Sequence, residues 1–107
     1  MNKVKKISFL PIAKNDLKEI VRYISKELHM PLAAEAIYVE IVKHIDTLAT
    51  FPLAYREYEP SNLLSDKYRI MPVKKYVVLY VVYDDIVEIR RIIYAKMDLS
   101  KNINDQM

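Results

Sequence analysis

Residues 68–98, YRIMPVKKYVVLYVVYDDIVEIRRIIYAKMD, decide the fold. Val, Ile and Tyr fill three runs, Tyr68 to Val73, Tyr76 to Tyr83 and Ile86 to Tyr94. Such residues suit a pleated surface that is buried on at least one side. Only Lys74-Lys75 and Asp84-Asp85 separate the runs, and connectors that short make neighbouring strands antiparallel, as a meander. Aspartate tolerates the left-handed backbone of a two-residue hairpin, so the Asp84-Asp85 turn is where that conformation is expected. One long helix is the rival reading. Pro72, the β-branched density and the Asp-Asp break oppose it.

Upstream, Lys3 to Leu10 alternates weakly, with Ile7 and Phe9 on one side, as in an edge strand whose lysines discourage pairing with another chain. Pro11 suits the first turn of a helix, and Leu17, Ile20, Val21, Ile24 and Leu28 come after it at helical spacing. His29-Met30-Pro31 ends that helix. Pro31 starts a second that runs to about Thr50, with Ala34, Ile37, Ile41, Ile45 and Leu48 on one stripe and a Glu40–Lys43 pair at the surface. The short connection makes the two helices an antiparallel hairpin. Leu53 to Ser65, rich in Tyr, Glu, Pro, Ser and Asn, is expected to be a surface loop, and the polar tail beyond Asp98 to fray.

The order is strand, helix, helix, three strands. An amphipathic hairpin must bury its stripe, and the sheet is the available partner. The expectation is one two-layer α+β domain, residues 1–107, with helices on one sheet face and the other face at least partly open.

Composition narrows the function classes. There are no cysteines, which removes disulfides and thiolate metal sites. Glycine is also absent, so neither a phosphate-cradling Gly-rich loop nor a dinucleotide fingerprint is present. The basic N-terminal residues precede too short an apolar run for a signal peptide, and no stretch has the length of a membrane span. A cytoplasmic protein without membrane contact or cofactor is expected. A net charge of +3 permits an acidic partner without requiring one. His29 and His44 lack ligand-spaced neighbours, so no metal site is expected; His29 suits a helix end and His44 a solvated helix face.

Four pieces in order, DLKEIVRYISKEL, PLAAEAIYVEIVKHIDTLATFP, YRIMPVKKYVVLYVV and VEIRRIIYAKMDL, resemble the RelE/ParE superfamily of type II toxin–antitoxin toxins over nearly the whole chain. The resemblance implies a small bacterial protein that arrests growth when free. A cognate antitoxin, encoded beside it, would neutralise it by laying an extended or helical segment on its surface. Open strand edges and the uncovered sheet face are where such a segment is expected.

The superfamily divides by target. RelE-like members cut messenger RNA in the ribosomal decoding site without a metal, whereas ParE-like members poison DNA gyrase and catalyse nothing. A metal-free ribonuclease needs a base, a cation for the phosphate, an acid and often a stacking aromatic. On the RelE-like reading Arg69 clamps phosphate, Lys75 or Lys96 acts as base or electrostatic stabiliser, and Tyr94 stacks or donates a proton. Two departures favour the ParE branch: Val77 follows Tyr76 where the nuclease pattern has arginine, and the chain closes Lys96-Met97-Asp98 where nucleases repeat basic residues. The partners implied are an antitoxin and DNA gyrase, or the ribosome with mRNA in the alternative. A degenerate member that keeps only fold and antitoxin binding is a third reading.

Structural roles stand beside these. Arg69 suits a surface pair with a carboxylate such as Glu88. Of Arg90 and Arg91, one on each side of its strand, one is expected to snorkel or meet an acid and the other to face a partner. Tyr76, Tyr80 and Tyr83 suit half-buried strand positions with wet hydroxyls.

Overall fold

The computed structural model describes residues 4–58 and 67–96. Its elements are β1 (Lys6–Phe9), α1 (Pro11–Arg22), a π-helical turn (Tyr23–Glu27), α2 (Pro31–Thr47), β2 (Arg69–Val73), β3 (Tyr76–Val82) and β4 (Ile86–Tyr94). The expected α+β order is therefore present. Tyr68 and Tyr83 fall just outside their strands, and α2 ends before Thr50. Among the described residues no helix is long and apolar enough to cross a membrane.

The sheet runs β1-β4-β3-β2. The meander pairs antiparallel, while β1 pairs parallel with β4, from Lys6 opposite Ile86 to Phe9 opposite Ile89. A parallel pair needs a long crossover, and the helical hairpin supplies it. Pro72 sits on β2, an edge strand where a missing N–H is tolerated. The end of the expected loop is partly ordered into the sheet: Glu57 bridges Arg69, Tyr58 N–H donates to Tyr68 O at 2.8 Å, and Ile70 N–H donates to Arg56 O at 3.2 Å. Residues 59–66 and the tail lie outside the described residues.

The helices bury Leu17, Ile41, Ile45 and Leu48 against Met71, Val78, Tyr80, Val87, Ile89 and Ile92. Each fully buried aliphatic side chain of this kind contributes roughly 1.5–3 kcal/mol. Leu28 departs from the expected stripe and is exposed. The cause is the π turn, where Leu28 N–H reaches back to Tyr23 O at 3.1 Å. The wider turn rotates the residues after it off the helix's apolar face. His29 then takes φ 53°, the left-handed position usually given to glycine after a helix.

The second sheet face, expected to be at least partly open, has a buried centre, while Pro72 and Tyr83 remain exposed. Tyr68, Ile70, Val77, Leu79, Val81 and Ile93 are buried there, with Tyr58 packed against them. A bulge sets the partition. Leu79 pairs with Arg91 and Tyr80 with Ile89, so Arg90 is an extra residue. Alternation along β4 thereby shifts, and Val87, Ile89 and then Ile92 face the helices while Ile93 turns away. The left-handed turn residue is likewise not where it was expected. Lys74 has φ 57°, and neither Asp84 nor Asp85 has positive φ. The Asp84-Asp85 connection is closed instead by Tyr83 N–H donating to Ile86 O at 2.8 Å, and Lys5 Nζ donates to Asp84 O.

Candidate functional site

A groove of about 960 Å³ runs between α1, the π turn and the far end of the meander. Ile20, Ile24, Leu28 and Ile37 line its helical side, and Ile92 and Ile93 its sheet side. Tyr23, Tyr76, Tyr94, Lys74 and Lys75 complete the lining. A smaller cavity of about 500 Å³ lies between β1 and the helices, lined by Phe9, Leu17, Val21, Tyr38 and Val42 with Lys14 and Lys18.

Asp16 and Arg91 join the two walls of the larger groove. Arg91 Nε donates to Asp16 Oδ2 at 2.7 Å and Nη2 to Oδ1 at 3.0 Å. Asp16 Oδ2 also accepts Ile92 N–H at 2.9 Å. Both side chains are 12% exposed. This contact has a topological origin. β1 leaves β4 after Phe9, so beyond Ile89 the outer side of β4 has no strand beside it among the described residues. Asp16, one turn into α1, satisfies one of the amides left over.

At the rim, Lys75 O accepts Ala95 N–H at 2.8 Å, which fixes the β2–β3 turn beside the end of β4. Tyr76 and Tyr94 are register partners whose rings meet edge-on with centroids 5.8 Å apart. Burial raises the Tyr76 hydroxyl pKa above its ordinary value, with Tyr94 and Tyr23 adding to the shift. Lys74, Lys75, Tyr94 and Lys96 are exposed. None of the three lysines has a carboxylate within ion-pair distance among the described residues.

Lys75, Tyr94 and Lys96 thus lie together, and Arg69 does not lie with them. Arg69 pairs with Tyr80, and Val73 with Tyr76, so about 13 Å of strand separates Arg69 from the turn. Arg69 Nη1 donates to Tyr55 O at 2.7 Å, and Nη2 lies 3.5 Å from Glu57 Oε2. Its carboxylate is Glu57, not Glu88. Glu88 is taken by Arg90, whose Nε donates to Glu88 Oε1 at 2.6 Å. Arg90 also donates to the Tyr68 and Tyr83 hydroxyls, and its guanidinium lies 5.4 Å from the Tyr68 ring centroid. Both adjacent arginines therefore meet acids. Val77, where the nuclease pattern has arginine, is buried in the second face. Met97 and Asp98 lie outside the described residues.

Tyr80 and His44 also differ from expectation. Tyr80 is fully buried, not wet; its hydroxyl donates to Pro52 O at 2.8 Å, and burial pushes its pKa up to about 12. His44 is half-buried, with Nδ1 2.8 Å from Glu40 O and 3.9 Å from Glu40 Oε1, so Glu40 faces His44 and not Lys43. The Asp16–Arg91 lock and the Arg90 cluster were missed as sites. Their only signal was the Arg90-Arg91 doublet.

A family model described as "ParE toxin of type II toxin-antitoxin system, parDE" matches residues 7–99. Among solved structures, the chain is similar to one titled "Chromosomal ParDE TA system from P. aeruginosa". The TM-score is 0.71 at 19% identity, over 89% of this chain and 100% of that one. No curated protein matches the sequence.

Proposed function

This chain belongs to the ParE toxin family of type II toxin–antitoxin systems, and from that premise we propose that it arrests growth by inhibiting DNA gyrase until an antitoxin covers it. The family match over residues 7–99 carries the reading. Two placements support it against the endonuclease alternative. Val77 is buried, where a phosphate-binding arginine would be needed, and Arg69 is spent on Tyr55 and Glu57 at the far end of its strand from Lys75, Tyr94 and Lys96. A clamp that distant cannot share a phosphate with those three side chains. The toxin then acts as a binding module, without cofactor or metal, in the cytoplasm.

The antitoxin surface that fits best is the groove with the adjoining side of β4, which beyond Ile89 has no strand beside it among the described residues. Its aliphatic lining suits an apolar stripe, and the strand edge offers main-chain hydrogen bonds to an extended segment. The uncapped lysines favour an acidic segment.

The decisive assay incubates the purified toxin with DNA gyrase and relaxed plasmid, and in parallel with a reconstituted translation reaction. Loss of supercoiling with translation intact is the expected result. Halted translation with cleaved mRNA and untouched supercoiling would replace this reading with the endonuclease. In that case Arg69→Ala and Tyr94→Phe should each abolish toxicity.

A further inference from the structure

We propose that the outward face of α2, centred on Val39, is where two copies of this chain pair, their α2 helices antiparallel across a two-fold axis. This goes beyond the gyrase reading and does not rest on it.

The two helices of the hairpin treat solvent differently. α1 exposes Lys14, Asn15, Lys18, Glu19 and Arg22, an ordinary solvated face. α2 buries Ala34, Ile41 and Ile45 on its inner side. On its outer side Leu32 is 82% exposed and Val39 52%, with Ala36 exposed between them. Positions 32, 36 and 39 follow helical spacing, so they form one apolar stripe. A helix that is apolar on both sides is ordinarily covered on both.

Charge identifies what covers this one. Glu35 stands four residues before Val39 and Lys43 four after, both exposed. Neither forms an ion pair among the described residues. Glu40, about one turn before Lys43, is turned to His44 instead. Antiparallel pairing about Val39 sets the Glu35 of each copy level with the Lys43 of the other, and Val39 against itself. Parallel pairing would set Glu35 against Glu35 and Lys43 against Lys43. Opposite charges spaced evenly about an apolar residue are thus complementary to a second copy of the same face. Leu32 then lies against the methylene stem of the facing lysine, and the small Ala36 side chain lets the helices approach. Ile37, on the other side of α2, lines the larger groove, so pairing leaves that groove open in both copies.

One helix from each copy makes a small contact, so the association is reversible. The test is sedimentation velocity with the full-length protein across about 5–500 µM, where mass action raises the dimer share with concentration. The mass should rise from one chain to two. Val39→Glu sets like charges against each other on the axis and should weaken pairing more than about tenfold. Lys43→Glu and Glu35→Lys should each weaken it as well. The double variant carrying both exchanges should restore it, because the same pairs re-form with their signs reversed. Where Val39→Glu alters the circular dichroism spectrum, the charge exchange decides alone, since both of its positions are exposed.

The chain has no cysteine, so register can be read by crosslinking under mild oxidation. Val39→Cys should form a disulfide between copies, because the axis brings position 39 beside its own counterpart. Leu32→Cys should not, because its counterpart lies about 21 Å away along the helices.

A protein that stays one chain throughout, or a dimer untouched by Val39→Glu, would overturn the pairing. Charge exchange without restoration, or equal crosslinking at positions 32 and 39, would do the same. A monomer that loses antitoxin binding with Val39→Glu would overturn it too and assign this face to the antitoxin. A dimer that responds as expected but leaves gyrase active refutes only the gyrase reading.

Discussion

Arg69 and Lys74 stand at opposite ends of the same strand pair, and the two ends treat their polar side chains differently. At the first, Arg69 holds Tyr55 O, Tyr80 holds Pro52 O, and residues 56–58 bridge to the start of β2. Every one of those contacts fastens the segment after α2 onto the sheet. At the second, the lysines and Tyr94 are exposed, Tyr76 is half-buried against the core, and the fastening contacts are Ala95 N–H to Lys75 O and the Tyr76–Tyr94 ring edge. An arginine fork or a buried hydroxyl is useful where a carbonyl is already in place to accept it. A turn lysine that forms no ion pair among the described residues contributes little to stability and remains available to a partner.

The seam between these ends is the Asp16–Arg91 pair, and it offers the largest effect. Asp16→Ala leaves Arg91 buried without its acid and Ile92 N–H without an acceptor. Removing one member of a buried pair typically costs about 3–5 kcal/mol. Urea unfolding should show that loss, and a double variant with Arg91→Met should recover part of it. A cost under about 1 kcal/mol would mean that the groove walls are held together by packing alone.

The fastened end can be read by pH. An unfolded tyrosine ionises near 10, whereas buried Tyr80 keeps its proton to about 12. Above pH 10 the unfolded chain binds fewer protons than the folded one, so stability falls as pH rises. The Tyr80 share of that slope is roughly 1.4 kcal/mol per pH unit until the folded value is reached. Below pH 10 it vanishes. Tyr80→Phe should therefore show a shallower loss of stability between pH 10 and 12 than the unaltered protein. Parallel curves would mean that the hydroxyl is wet, and that this end is as open as the other.

Much of this was legible in the residues and some was not, for identifiable reasons. Period and turn chemistry are local, so the helical hairpin, the meander and its three strands between Tyr68 and Tyr94 could be seen in sequence. Pairing is not local. Nothing in Lys6–Phe9 says that it lies parallel to β4, because that depends on which way the helices cross the sheet. The run EIRRII reads the same with or without a bulge, yet the bulge at Arg90 decides which face Ile92 and Ile93 enter. The π turn hides in an ordinary amphipathic pattern and removes Leu28 from the core. Arg69 had two acids to choose from, and only the fold brings Glu57 to it while giving Glu88 to Arg90. For the site, Lys75, Tyr94 and Lys96 were named from resemblance and do lie together; Arg69, named with them, lies elsewhere.

The smallest predicted effect concerns Lys74, and it asks whether the open end is kept at a cost. With φ 57°, its Cβ crowds the following carbonyl, a penalty of about 1–2 kcal/mol. Lys74→Gly removes that penalty but adds roughly 0.4–1 kcal/mol of unfolded-chain entropy, so the net gain should be only about 0.5–1 kcal/mol. Lys74→Ala is the necessary partner experiment: it deletes the same charge but keeps the Cβ, and should leave stability within about 0.5 kcal/mol of the unaltered protein. A glycine variant more stable than the alanine variant would show that a strained residue is retained at this turn. Equal stabilities would show that the turn carries no strain, and the contrast between the two ends would then rest on pairing alone.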